Sequence, residues 1–171
     1  MNTKMEYCAL WYLNQWQSSE KEIHRMISSE SKNERLMGIN SGASYFRVAR
    51  TIPTMPEKKN KKERYEPVLE VIDKYDAAGF TKDNLSKFVE RVQRELNSFY
   101  KKNMLSATSK MLWLKFRSPI IILDSQAKKA LNVKKNEYSK FVKEWDKEYN
   151  KYEREITDAC GRLGECKSNS V

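Results

Sequence analysis

The sequence predicts an all-α fold, a compact helical domain, on three observations. Apolar residues recur at steps of three and four over long stretches, the period of a helix that buries one face. Glycine and proline are scarce, at five and four, which leaves too few turn residues for the hairpins of an all-β chain. Four Trp, nine Tyr and six Phe provide a core and separate the chain from disordered sequences, although 33% of its residues are charged. A length of 171 residues suits one domain with one core.

The elements follow in order. Over 6–28, Tyr7, Leu10, Trp11, Leu13, Trp16, Ile23 and Ile27 give a helical, aromatic-rich pattern, with Trp11 and Trp16 expected in the core. Ser18 and Ser19, followed by Glu20 and Glu22, either break this helix or cap a second one. Residues 28–56 read as less regular, because Gly38, Ser41 and Gly42 punctuate them and Pro53 and Pro56 end them. Within that stretch Tyr45 to Arg50 forms a short amphipathic piece that carries Arg47 and Arg50. They serve either a phosphate-contacting surface or a solvated connector. The run over 57–64 is a basic, solvated loop able to attract phosphate without sequence preference.

A helix is predicted over 66–77, with Pro67 in its first turn and Gly79 as its stop. Thr81 is a suitable N-cap for the next helix. There Leu85, Phe88, Val89, Val92, Leu96 and Phe99 form a core stripe opposite Lys87, Arg91 and Arg94. A shorter helix over 107–117 is apolar almost all round and therefore belongs in the interior. After Pro119, Ile120 to Leu123 is too short for a helix and reads as a buried extended segment. Asp124 then stands at the N-cap position of another helix. The longest helix spans 137–160, with Tyr138, Phe141, Val142, Trp145, Tyr149, Tyr152 and Ile156 in a near-heptad seam. The tail from 161 is polar and expected to fray.

A net charge of +10 attracts polyanions, and nucleic acid is the partner this footprint favours over an anionic membrane surface. Three cysteines, Cys8, Cys160 and Cys166, do not form a disulfide framework and read as free thiols. With His24 the only histidine, neither a zinc site nor a Ser–His–Asp triad is expected, and no cofactor is implied. The first residues lack the apolar stretch of a signal peptide, and no run approaches a membrane span. The expectation is a cytoplasmic protein; oligomeric state stays open, with a monomer as the default.

The chemistry concentrates in Ser106-Ala107-Thr108-Ser109-Lys110-Met111-Leu112-Trp113 and the Pro119 to Asp124 segment that follows. Lys110 is placed in the first turn of a buried helix, where desolvation and the positive end of the helix dipole both lower an amine's pKa. A lysine so tuned is a candidate nucleophile. Asp124 ends an apolar run and can point into the same cavity. The plain alternatives are that Lys110 snorkels to water and that Asp124 is only a cap.

These residues resemble the helix–hairpin–helix DNA glycosylase superfamily, and most closely bacterial proteins with an 8-oxoguanine glycosylase fold. The resemblance rests on Ser-Lys, an apolar helix, a short loop and Pro-Ile-x-x-x-Asp, and covers roughly residues 81–131. It implies that Lys110 is the catalytic amine and Asp124 the essential carboxylate. It also implies a flipped base excised from DNA, with lyase activity through a Schiff base, in a setting such as defence against foreign DNA. On this reading Trp113, Tyr138 and Trp145 either line the base pocket or belong to the core. Arg47, Arg50, Ser106, Thr108, Ser109, Lys128 and Lys129 are the candidate DNA contacts. The hairpin position, Ser106 to Ser109, lacks the glycines with which the superfamily grips phosphate. Two other functions stay open: a non-catalytic nucleic-acid-binding module on the same fold, and a helical interaction or toxin-system protein using the seam from Tyr138 to Ile156.

Overall fold

The computed structural model describes residues 3–53, 64–76, 79–134 and 137–168. The predicted basic run lies outside these residues except for Arg64, as do the side chain of Cys166 and residues 169–171. The fold is all-α, with no strand among the described residues. Its helices are α1 (Thr3–Gln15), α2 (Lys21–Ile27), α3 (Lys32–Tyr45), α4 (Glu66–Ile72), α5 (Leu85–Tyr100), α6 (Leu105–Phe116), α7 (Ser125–Ala130) and α8 (Tyr138–Ser168). A π-helical turn, Trp16–Glu20, joins α1 to α2 without a break. No described helix is long and apolar enough to cross a membrane.

Helix α6 lies at the centre and packs against α2, α3 and α5. Eight of its twelve residues are buried, as its all-round apolar pattern requires. His24 pins α2 to it, since the imidazole Nδ1 lies 2.6 Å from the Leu114 carbonyl oxygen. Helix α5 buries Leu85, Phe88, Val89, Val92 and Leu96, the predicted stripe. Its last turn departs from expectation: Phe99 is exposed and Tyr100 is buried, with its hydroxyl donating to the Arg64 carbonyl at 2.8 Å.

Several boundaries differ from the sequence reading for identifiable reasons. Residues 32–45 form a regular helix, N-capped by Ser31, rather than an irregular connector. Gly38 and Gly42 do not punctuate it; they let it approach its neighbours. A Cβ on Gly38 would stand 2.9 Å from the Ile27 backbone nitrogen, and one on Gly42 would stand 2.4 Å from Leu114 Cδ1. Helix α4 ends at Ile72, earlier than predicted. Helix α5 starts at Leu85 after Asn84, while Thr81 donates its N–H to the Asn84 side chain at 2.8 Å instead of capping. Helix α8 runs through Gly161 to Ser168, where a frayed tail was expected. It packs along α1, and Arg162 reaches Glu6 at 2.6 Å. Trp11, expected in the core, is 57% exposed.

Candidate functional site

Asp124 lines an open cleft of about 910 Å³, and Lys110, outside that lining, lies close enough to feel its charge. Helix α6 places Lys110 in its second turn rather than its first, because the helix begins at Leu105. The residue is 8% exposed. Its ammonium donates to the Ser106 hydroxyl at 3.2 Å and lies 5.9 Å from the centre of the Phe46 ring. Desolvation lowers its pKa, and the negative charge of Asp124 opposes that shift only in part. Asp124 caps α7, accepting the Ala127 N–H at 2.8 Å through one carboxylate oxygen. Asp124 and Phe46 line the cleft, and Lys110 does not. Asp124 acts on Lys110 through its field rather than a hydrogen bond.

The two segments are locked together by hydroxyls. Ser106 Oγ donates to the Leu123 carbonyl at 2.9 Å. Ser109 Oγ accepts the Leu123 N–H at 3.0 Å and donates to the Ser106 carbonyl at 3.1 Å. These bonds satisfy the backbone of a segment that has no sheet to join. Burial also corrects the reading of Thr108 and Ser109 as DNA contacts, while Ser106 is half-buried. All three lie within α6, Thr108 and Ser109 are fully buried, and no hairpin occupies this stretch. Thr108 Oγ1 is buried without a hydrogen-bond partner. The turn between α5 and α6 is Lys101 to Met104 instead, with Lys101 in the left-handed region at φ 54°.

Of the aromatic residues singled out from sequence, Trp113 and Trp145 line the cleft and Tyr138 does not. Tyr138 is fully buried, and its hydroxyl donates to the Ile121 carbonyl at 2.7 Å while accepting the Ile121 N–H at 3.1 Å. It fastens α8 to the segment before Asp124 and is a core residue. Trp145 stacks on Tyr149 with centroids 5.0 Å apart and planes 12° from parallel. Trp113 carries the Arg117 guanidinium 4.1 Å from its ring centre, and that guanidinium also lies 4.2 Å from the centre of the Trp16 ring and 5.9 Å from that of Tyr12. Each cleft tryptophan is thus backed by a second flat group, which holds its plane.

Sequence reasoning missed the group that organises this wall. Glu20, only 5% exposed in the π-helical turn, accepts from Arg117 Nη1 at 2.8 Å and from Trp113 Nε1 at 3.2 Å. The Tyr45 hydroxyl also points at it from 3.4 Å, and burial together with that carboxylate pushes the Tyr45 pKa up to about 12. Arg117 holds φ 61° and ψ −118°, a conformation that a residue with a Cβ adopts only when its surroundings fix it. The Ser-Ser-Glu sequence at 18–20 reads as a cap or a break, and nothing in it signals a buried acceptor. Lys82 and Asp146, which also line the cleft, carry no sequence signal either.

Arg47, Arg50 and Lys129 are exposed, and Lys128 is half-buried. Arg47 follows the cleft residue Phe46, and Lys128 and Lys129 stand in the helix that Asp124 caps. No family model, curated protein or solved structure matches the chain.

Proposed function

We propose that the protein is a DNA glycosylase-like enzyme that receives a flipped nucleotide in the aromatic cleft and breaks its N-glycosidic bond. One observation carries this reading. A buried amine without a salt-bridge partner lies within the field of a carboxylate that caps the next helix and lines the cleft. The net charge of +10 and the exposed Arg47, Arg50 and Lys129 supply the attraction to phosphate.

The chemistry follows from the groups present. The base leaves with the bonding electron pair and takes a proton, while positive charge develops on the sugar. The Asp124 carboxylate, which lines the cleft, stabilises that charge. Lys110 in its neutral form gives up the Ser106 hydroxyl, turns past Phe46 and adds to C1′, and the displaced proton passes to Asp124 or water. Ring opening gives a Schiff base, from which β-elimination cuts the strand and water frees the lysine. Catalysis needs the amine neutral, and burial raises that fraction.

Borohydride trapping on DNA containing abasic sites or altered bases tests this. A covalent adduct that is lost in Lys110→Gln supports the enzyme. An unaltered protein that yields no adduct and releases no base ends it. A second reading has its own observation: both groups already have partners, Lys110 in Ser106 and Asp124 in the Ala127 N–H. They would then be structural, in a nucleic-acid-binding module. Salt-dependent DNA binding that survives Lys110→Gln and Asp124→Asn, without base release, is the expected result in that case.

A further inference from the structure

The cleft contains a second pair of polar groups that the Lys110–Asp124 chemistry does not use. Asp146, one residue beyond Trp145 on α8, lines the cleft, and so does Lys82, from the segment before α5. Asp146 Oδ1 is shielded from solvent and accepts no hydrogen bond. The Lys82 ammonium stands 3.4 Å from it, close enough for attraction but without hydrogen-bond geometry, and is itself well exposed. Native structures rarely leave a buried carboxylate oxygen unsatisfied, and the missing donor is then a water, an ion or a group on a ligand.

The two groups have opposite hydrogen-bonding roles. An ionised carboxylate only accepts and an ammonium only donates. Side by side they form an edge that matches a ring with an N–H donor next to an acceptor. Flat surfaces lie beside this edge, in the stacked Trp145 and Tyr149 and in Trp113. Stacking area favours a two-ring base over a one-ring base in a cleft of about 910 Å³. A purine nucleoside has an edge N–H only if its six-membered ring carries an amino group or a protonated ring nitrogen.

We infer that Asp146 and Lys82 read the edge of the base held in the cleft, and that this base is a purine with an N–H donor on its six-membered ring. The edge N–H bonds Asp146, and the adjacent edge acceptor faces Lys82. The inference rests on the reading of the cleft as a base pocket, and it assigns specificity to residues outside the chemical step. Asp146 and Lys82 are specificity residues; they touch the base edge and not the reacting sugar.

Saturation-transfer NMR on the full chain tests it with adenosine, guanosine and unsubstituted purine riboside, which stacks equally but has no edge N–H. At least one of the first two binds about tenfold more tightly than purine riboside, the value of a hydrogen bond to a charged group. Asp146→Asn and, separately, Lys82→Met reduce that preference. Equal binding of purine riboside, a preference unchanged in both variants, or no nucleoside binding at all would overturn the inference. Trapping of the unaltered protein on abasic DNA tests the proposed chemistry by itself, because abasic DNA has no base to read. The two ideas therefore fail separately.

Discussion

Helix α6 and the residue just after it hold three cations, and the two ends treat them in opposite ways. At the C-terminal end each cation meets a carboxylate directly. Lys115 bonds Asp73 at 2.9 Å and the Ile72 carbonyl at 2.9 Å, and Asp73 also takes Arg35 from α3. Arg117 bonds Glu20 at 2.8 Å between two indole rings. In the N-terminal half Lys110 has a hydroxyl, the face of a ring and a carboxylate that reaches it only through its field. Both ends are largely buried. The difference teaches that desolvation alone does not define a reactive site. The C-terminal pairs use their charges to fix architecture, whereas Lys110 is only partly compensated, which is the condition the proposed chemistry requires of its amine.

Substitutions that remove charge should therefore have different consequences at the two ends. The largest effect is expected at Asp124. Asp124→Asn keeps an oxygen that can cap α7 but removes the negative charge, so melting should change little. On the proposed glycosylase reading, base release should fall by roughly a hundredfold to a thousandfold, the usual loss when one electrostatic stabiliser is removed. Single-turnover base release beside a thermal melt checks both halves. A variant that melts far below the parent protein would place Asp124 with the structural charges.

Glu20→Ala breaks the comparison from the other side. It leaves the half-buried Arg117 without its carboxylate and Trp113 Nε1 without an acceptor, and should cost about 3 kcal/mol in urea unfolding. A smaller step follows at Asp73, which is partly exposed. Asp73→Asn weakens contacts to Lys115 and Arg35 and should cost about 1 kcal/mol. If Glu20→Ala unfolds no more readily than Asp73→Asn, the sandwich of Arg117 between Trp16 and Trp113 holds that end without the carboxylate.

Much of the N-terminal half was legible in the sequence, and much of the C-terminal end was not, for a physical reason. Lys110 stands out because a charged residue interrupts an apolar helix, and Asp124 because an apolar run ends at a cap position. Both are local contrasts along the chain. Their shared location then follows from Ser106 and Ser109, whose hydroxyls bond the backbone of Leu123. The aromatic wall depends on pairings across far greater separations, Glu20 with Trp113 and Arg117, and no periodicity announces these. The same limit explains Gly38 and Gly42. In sequence they resemble turn residues, and only the closeness of α2 and α6 shows that they are packing positions within α3. Tyr138 was ambiguous in a different way, since a buried phenol and a pocket-lining phenol share one helical spacing.

The mildest test is a slope against pH. The folded-state pKa of Lys110 lies below that of a free lysine because burial penalises its charge. Below that folded value the lysine is charged in both the folded and unfolded states, and the full penalty destabilises the fold. As pH rises through the folded value the native amine loses its proton before the unfolded one does, and stability attributable to this residue increases. Lys110→Met removes the penalty, so this variant should be more stable than the parent at neutral pH, and the advantage should narrow as pH rises toward the range of a free lysine. Lys115→Met should behave differently, since it deletes direct contacts to Asp73 and Ile72 and should lower stability at neutral pH. Urea midpoints at several pH values separate the two lysines. If both methionine variants respond alike, the contrast between the two ends of α6 disappears, and with it the argument that Lys110 is kept only partly compensated for reaction.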